Sequence, residues 1–210
     1  MSITRGCLAI AFVIAVVTVG LTAQARPEVK LPPSPRGSAE IQVLGKYEKG
    51  RYVGGQWITI DYGRPIMRGR TNIFGSGAEY GKTVNPDADI WRAGANDTTR
   101  LTTQAALTIN GTTLQPGVYN VFVDLKENAW TLVLSTQPVQ PKYDPNDKVL
   151  LYGAYNYDPK FNVLKAPMQL KTLPMSFEQL TIGFSDVRTD GGSLFIAWDR
   201  TSASVSFTAK

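Results

Sequence analysis

No stretch of this chain keeps an apolar helical period over ten residues, whereas short runs that alternate apolar and polar side chains recur along most of its length. Tyr119, Val121, Val123 and Leu125 share one side of a run at 118–125, and Trp130, Leu132 and Leu134 repeat it after the polar Lys126-Glu127-Asn128. Ile58, Ile60 and Tyr62 alternate with Trp57, Thr59 and Asp61, while Leu180, Ile182 and Phe184 are matched across Asp190-Gly191-Gly192 by Leu194, Ile196 and Trp198. Val205 and Phe207 form the last such pair. A period of two puts every second side chain on one face, so each run buries one side against a partner layer. Asn110-Gly111 and Pro116-Gly117 mark tight turns between such runs. The pattern predicts an all-β fold, an antiparallel β-sandwich of about nine short strands, with residues 39–210 as a single domain.

Irregular stretches interrupt the alternation. Residues 67–89 carry Gly69, Gly75, Gly77, Gly81 and Pro86 in short succession and read as one long irregular surface loop. Pro138, Pro141 and Pro145 predict that residues 137–147 cross from one sheet to the other, followed by a tyrosine-rich run with Tyr152, Tyr155 and Tyr157. Residues 26–38, with Pro27, Pro32, Pro33 and Pro35, read as an extended leader to the domain. Residues 1–25 have the form of a signal peptide: Arg5, an apolar run at 8–19 and a small-x-small Ala23-Gln24-Ala25. The run is shorter than the roughly 20 residues a spanning helix needs. The expectation is therefore export to the periplasm or the extracellular space, with no membrane span once the leader is removed.

Composition then excludes whole classes of chemistry. The chain has no histidine, and its single cysteine, Cys7, lies in the leader. Ser-His-Asp triads, histidine-ligated zinc, cysteine nucleophiles and thiolate metal sites are therefore ruled out. No catalytic set, metal site or cofactor motif is assigned. Loss of Arg5 with the leader lowers the formal net charge of +5 by one. So mild a balance favours acidic ligands weakly and does not indicate nucleic acid, which needs a concentrated basic stripe. The sequence is silent on oligomeric state.

Residues 90–99 gather an indole, a guanidinium, an amide and a carboxylate (Trp91, Arg92, Asn96, Asp97) around Gly94, with small residues where backbone must approach closely. Together with Asp61-Tyr62-Gly63-Arg64-Pro65, Gly69-Arg70, Ile73-Phe74-Gly75 and Pro116-Gly117-Val118-Tyr119, this run resembles a bacterial exported family of unknown function, the one numbered 2911. The resemblance covers roughly residues 34–135. It implies export and one mostly β domain, and it matches Arg64, Arg70, Trp91, Arg92 and Asn96 to motif positions. The chain differs from the family pattern in the residues 82–90 that separate Tyr80-Gly81 from Trp91, and in Asp97, where the family usually has glutamate.

The candidate ligand-binding residues are Arg64, Arg70, Tyr80, Trp91, Arg92, Asn96 and Asp97. Arginine forks capture carboxylate, phosphate or sulfate bidentately, so convergence of several among Arg64, Arg68, Arg70, Arg92 and Arg100 would make an anion pocket. The alternative is that each braces a loop against a local acid such as Asp61, Glu79, Asp89 or Asp97. Trp57, Tyr62, Tyr80 and Trp91 offer a stacking platform for a sugar ring, or else fill the core, as the register of Trp130 and Trp198 predicts for those two. Three functional readings stay open: non-catalytic binding of a small anionic or carbohydrate ligand; an envelope structural or accessory protein whose Arg/Trp motif only locks a loop; and a glycoside hydrolase using a carboxylate pair, Asp61 with Asp97 or Asp89 with Asp97.

Overall fold

The computed structural model describes residues 32–86 and 88–210. The expected signal peptide, residues 26–31 of the expected leader, and Asp87 lie outside the described residues. The described residues form twelve strands: β1 (Arg36–Val43), β2 (Lys46–Glu48), β3 (Arg51–Val53), β4 (Gln56–Gly63), β5 (Thr99–Thr103), β6 (Leu107–Ile109), β7 (Thr112–Leu114), β8 (Gly117–Asp124), β9 (Thr131–Ser135), β10 (Asn162–Pro167), β11 (Gln169–Arg188) and β12 (Gly191–Ala209). A six-stranded sheet has the order β1-β4-β5-β8-β9-β10 and a four-stranded sheet the order β11-β12-β6-β7; β2 and β3 form a separate hairpin. All strand pairings are antiparallel. The all-β sandwich is thus as expected, with more strands than about nine. Two of them are not short: β11 and β12 run for 20 and 19 residues and absorb their length in register shifts.

The alternation explains the layering. Ile58 and Ile60 of β4 are fully buried and Tyr62 nearly so, whereas Trp57 on the opposite face is 45% exposed. Leu101, Val121, Val123, Leu132 and Leu134 line the same inner face and meet Leu180, Ile182, Leu194, Ile196 and Trp198 of the other sheet. Each such side chain contributes about 1.5–3 kcal/mol by leaving water. Tyr62 also spans the layers, its hydroxyl accepting from the Ile182 amide at 2.9 Å. The tight turns come where glycine pairs demand them. Asn110 and Gly111 have φ of 46° and 77°, the two positive values of a type I′ turn, and join β6 to β7.

Residues 137–157 depart from expectation. They do not cross between sheets, and the tyrosine-rich run forms no strand. The segment folds back over the outer face of the six-stranded sheet, its limbs joined by a parallel bridge between Val139 and Leu151. Leu151 and Ala154 pack there on Ile90, Phe122 and Val133 as a second, smaller core. This is why β8 and β9 are buried on both faces. Asn120, buried on that outer face, donates to the Gln137 carbonyl at 2.7 Å and ties the segment down. The crossing occurs instead at Met168, between β10 and β11, whose amide donates to the Trp130 carbonyl at 2.9 Å.

The loop at 67–89 is irregular as expected, with one short 3-10 helix, Gly77–Glu79. It is more than a surface excursion, however, because Met67, Ile73 and Phe74 are buried in the main core. Among the described residues, no helix is long and apolar enough to cross a membrane.

Candidate functional site

The two most specific motifs meet through their glycines. Gly63, at the end of β4, and Gly94 lie back to back: a Cβ on Gly63 would collide with the Ala95 carbonyl, and one on Gly94 would sit 2.8 Å from Thr99 Oγ1 and 3.2 Å from the Gly63 oxygen. Thr99 Oγ1 donates to the Ala93 carbonyl at 3.0 Å, and Ala93 and Asn96 take positive φ, so residues 93–96 form a tight knuckle against the end of β4. Trp91 enters it through paired backbone bonds with Val123, of 3.0 and 2.8 Å. Its ring is 1% exposed, stacked on Trp198 and edge-on to Phe74 and Trp130. Tyr80 joins the same cluster, accepting from Trp130 Nε1 at 2.8 Å, and burial raises its hydroxyl above the ordinary tyrosine range. Trp91 and Tyr80 border a hollow of 140 Å³, but the indole itself is core.

The arginines do not converge, and Arg64, Arg70 and Arg92 form no ion pair among the described residues. Both expectations for these three, an anion pocket and bracing against local acids, therefore need correction. The acceptors of Arg64 and Arg70 are backbone carbonyls left over at loop ends, which a multi-donor guanidinium satisfies well, whereas the Arg92 Nε is buried without a hydrogen-bond partner. Arg64 Nε reaches toward the Leu180 carbonyl at 3.5 Å, and the Arg64 carbonyl accepts from Gln179, fastening β4 to β11. Arg70 folds back onto the Met67 and Ile66 carbonyls at 2.9 and 2.8 Å and lies over the Trp198 ring. Arg92 packs against the 153–155 bend, where a Cβ on Gly153 would come within 2.6 Å of its Nη1. Thr98 Oγ1 donates to the Gly153 carbonyl at 3.0 Å beside it, and Asn96 donates to the Ser34 carbonyl at 3.4 Å.

Among the candidates, Arg64 borders an open hollow of about 330 Å³ beside Glu40, and Asp97 also opens on a ligand-sized space. It lines a cleft of about 520 Å³ on the outer face of the six-stranded sheet, at the edge of the 137–157 cover. Arg36 from β1, Arg100 from β5 and Lys142 from the cover bring three positive charges to it, and Tyr143 and Tyr152 form one wall with ring centroids 4.7 Å apart. Arg36 pairs with Asp97 at 3.2 Å, both about half exposed. Arg100 and Lys142 have neither an ion pair nor a side-chain hydrogen bond among the described residues. Burial and then the Asp97 carboxylate raise the Tyr152 hydroxyl above its ordinary range, so it stays a neutral donor at physiological pH. Asp97 is the one acid among the lining residues; Asp61 is outside the cleft, and Asp89 lines the separate hollow by Tyr80. A two-carboxylate hydrolysis across the cleft therefore lacks its second group.

Sequence reasoning reached Arg100 and Asp97 but missed Arg36, Lys142, Tyr143 and Tyr152. Arg36 sat in the expected leader, Lys142 and Tyr143 in the segment expected to cross between sheets, and Tyr152 in the tyrosine-rich run that follows it. The alternation did contain one signal: Arg100 lies between Thr99 and Leu101, both buried on the inner face, so it had to point outward.

A family model described as Protein of unknown function (DUF2911) matches residues 46–207. The match runs well past residue 135, through the long β11–β12 hairpin. No curated protein and no solved structure matches the chain. With most of its length matched by that model, both motifs included, the chain belongs to the DUF2911 family of proteins of unknown function.

Proposed function

We propose that this is an exported protein that binds a small acidic sugar or similar anionic ligand, without turning it over, in the Arg36–Arg100–Lys142 cleft. One observation carries the reading: three cations from segments distant in sequence surround a paired-tyrosine wall in a space of ligand size, and among the described residues two of them, Arg100 and Lys142, form no ion pair. Guanidinium forks suit a carboxylate, and tyrosine faces suit the apolar side of a sugar ring. The single lining acid and the absence of histidine favour binding over turnover. Export rests on the signal-like pattern of residues 1–25.

The purified protein, heated with glucuronate, galacturonate, sulfate, phosphate or neutral glucose at fixed salt, tests this. A ligand at a hundredfold its Kd adds about 2.7 kcal/mol, or a rise in Tm of roughly 5–10 °C for a domain of this size. The expected result is such a rise with at least one acid sugar and none with glucose. Arg100→Ala should abolish it while leaving the unliganded Tm within about 2 °C, since surface changes cost within about 0.5 kcal/mol. No rise with any anion overturns the reading.

A second reading has its own support. Trp91 is spent on the core, and Arg92 and Asn96 on neighbouring segments, so the motif run alone fits a structural lock in an envelope accessory protein. Under that reading the cleft is empty of function, and the same titration returns no shift.

A further inference from the structure

The cleft is closed on one side by the 137–157 cover, but its floor continues as the uncovered half of the six-stranded sheet. Register places what lies there. Arg100 is opposite Asp61 on β4, Thr102 is opposite Thr59, and Thr102 is also opposite Val118 on β8. Asp61, Thr59 and Trp57 alternate along β4 with the buried Tyr62, Ile60 and Ile58, so all three share the outer face with Arg100. Trp57 is four residues from Asp61, about 13 Å along the strand at about 3.3 Å per residue. Of the chain's four tryptophans, Trp91, Trp130 and Trp198 are 1–3% exposed, whereas Trp57 is 45% exposed. Its backbone is held on both sides by Gln104: the Trp57 amide donates to Gln104 Oε1 at 2.8 Å, and its carbonyl accepts from the Gln104 amide at 2.9 Å. Val118, also 45% exposed, adds apolar surface beside Thr102.

We infer that the ligand is an oligosaccharide carrying a carboxylate at one end, the acid sugar seated in the Arg36–Arg100–Lys142 cleft and neutral sugars running along β4 and β5 to stack on Trp57. The inference rests on the proposed cleft reading and adds the length and polarity of its ligand. Charge sets the direction. The cations cluster at the cleft, while the strip toward Trp57 presents the hydroxyls of Thr59 and Thr102 and the Asp61 carboxylate, groups that bond sugar hydroxyls and disfavour a second anion. The two aromatic platforms, Tyr143–Tyr152 and Trp57, are too far apart for one ring to touch both. A ring face needs a flat, rigid aromatic partner at low entropic cost, which a half-exposed indole on a paired strand supplies.

The test compares glucuronate with a tetrasaccharide in which the same acid is linked to three neutral xyloses, by calorimetric titration of the purified protein and by acrylamide quenching of tryptophan emission. The tetrasaccharide is expected to bind at least tenfold more tightly than glucuronate and to shield the quenchable emission, which comes from Trp57. Trp57→Ala should reduce the tetrasaccharide to the affinity of glucuronate and leave glucuronate itself within twofold, with Trp57→Tyr restoring most of the gain. Equal affinity for the two probes, or a length-dependent gain that survives Trp57→Ala, overturns the inference; glucuronate binding that is lost in Arg100→Ala would then leave the cleft reading standing. Failure of both probes to bind overturns the inference, and the cleft reading falls with it when galacturonate, sulfate and phosphate also leave the Tm unchanged.

Discussion

Gly63 and Gly94 show how much of the motif is steric. A methyl on Gly63 would run into the Ala95 carbonyl and one on Gly94 into the Thr99 hydroxyl, so neither has room, and the collision partner on Gly63 is a carbonyl rather than a side chain that could swing away. Gly63→Ala is therefore expected to destabilise the protein by about 1–3 kcal/mol, the usual cost of overpacking a tight site. Gly117→Ala is the control. It also lies in a strand, but its nearest neighbour would be 3.6 Å from the new Cβ, in ordinary contact, and its urea midpoint should hardly move. Equal effects from the two substitutions would sink the steric account. The arginines give the complementary lesson. Arg64, Arg70 and Arg92 look like an anion trap in one dimension; in three, Arg64 and Arg70 serve as backbone clamps, because loop ends leave carbonyls that need donors, and Arg92 packs against the bend at Gly153.

Among the elements, the 137–157 cover forms one wall of the cleft and is held by the apolar burial of Leu151 and Ala154 and, at its turns, by a local carboxylate. Asp147 accepts from the Leu150 and Val149 amides, which hold its carboxyl below the usual range. Asp158, just beyond, is held low by the Lys160 side chain and then the Lys160 amide. A lowered folded value means that the folded state favours the charged form. The stabilisation is thus present above the ordinary carboxylate value, about 3.9, and is lost as pH falls through the folded values. Acidification from pH 6 to pH 3 should loosen this segment before the sandwich. Hydrogen exchange at Val149 and Leu150, corrected for intrinsic rates, should quicken relative to Leu101, and Asp147→Ala should show the fast behaviour already at pH 6. Unchanged relative protection at pH 3 would contradict the assignment.

For the whole molecule, one aromatic cluster joins parts that the chain order keeps apart. Phe74 from the irregular excursion packs on Trp130 at 4.7 Å, Trp91 at 5.7 Å and Trp198 of β12 at 6.0 Å. Both sheets and the excursion thus share one core, and removing its central ring should weaken all of them together. Phe74→Ala is expected to cost about 3–5 kcal/mol in a single cooperative transition. A biphasic unfolding curve for the variant would mean that the excursion is a separate unit. The cluster also explains why so glycine-rich a stretch is ordered: Ile73 and Phe74 anchor it from within.

The alternation along the chain sufficed for the all-β class, for most strands of both sheets, for the inward faces of Trp130 and Trp198 and for the Asn110-Gly111 turn, because a period of two and a pair of positive φ values are local properties. Composition likewise excluded histidine chemistry without any structure. Tertiary structure decided the rest. Nothing within residues 137–157 announces that they will cover the outer sheet face, since that depends on Phe122 and Val133 of β8 and β9 offering apolar surface there. Nothing in the spacing of Arg36, Arg100, Lys142 and Tyr152 brings them to one cleft, because their proximity is made by strand order and by a folded-over segment. Local pattern sets which side of a strand each residue occupies; only long-range packing sets what stands opposite it.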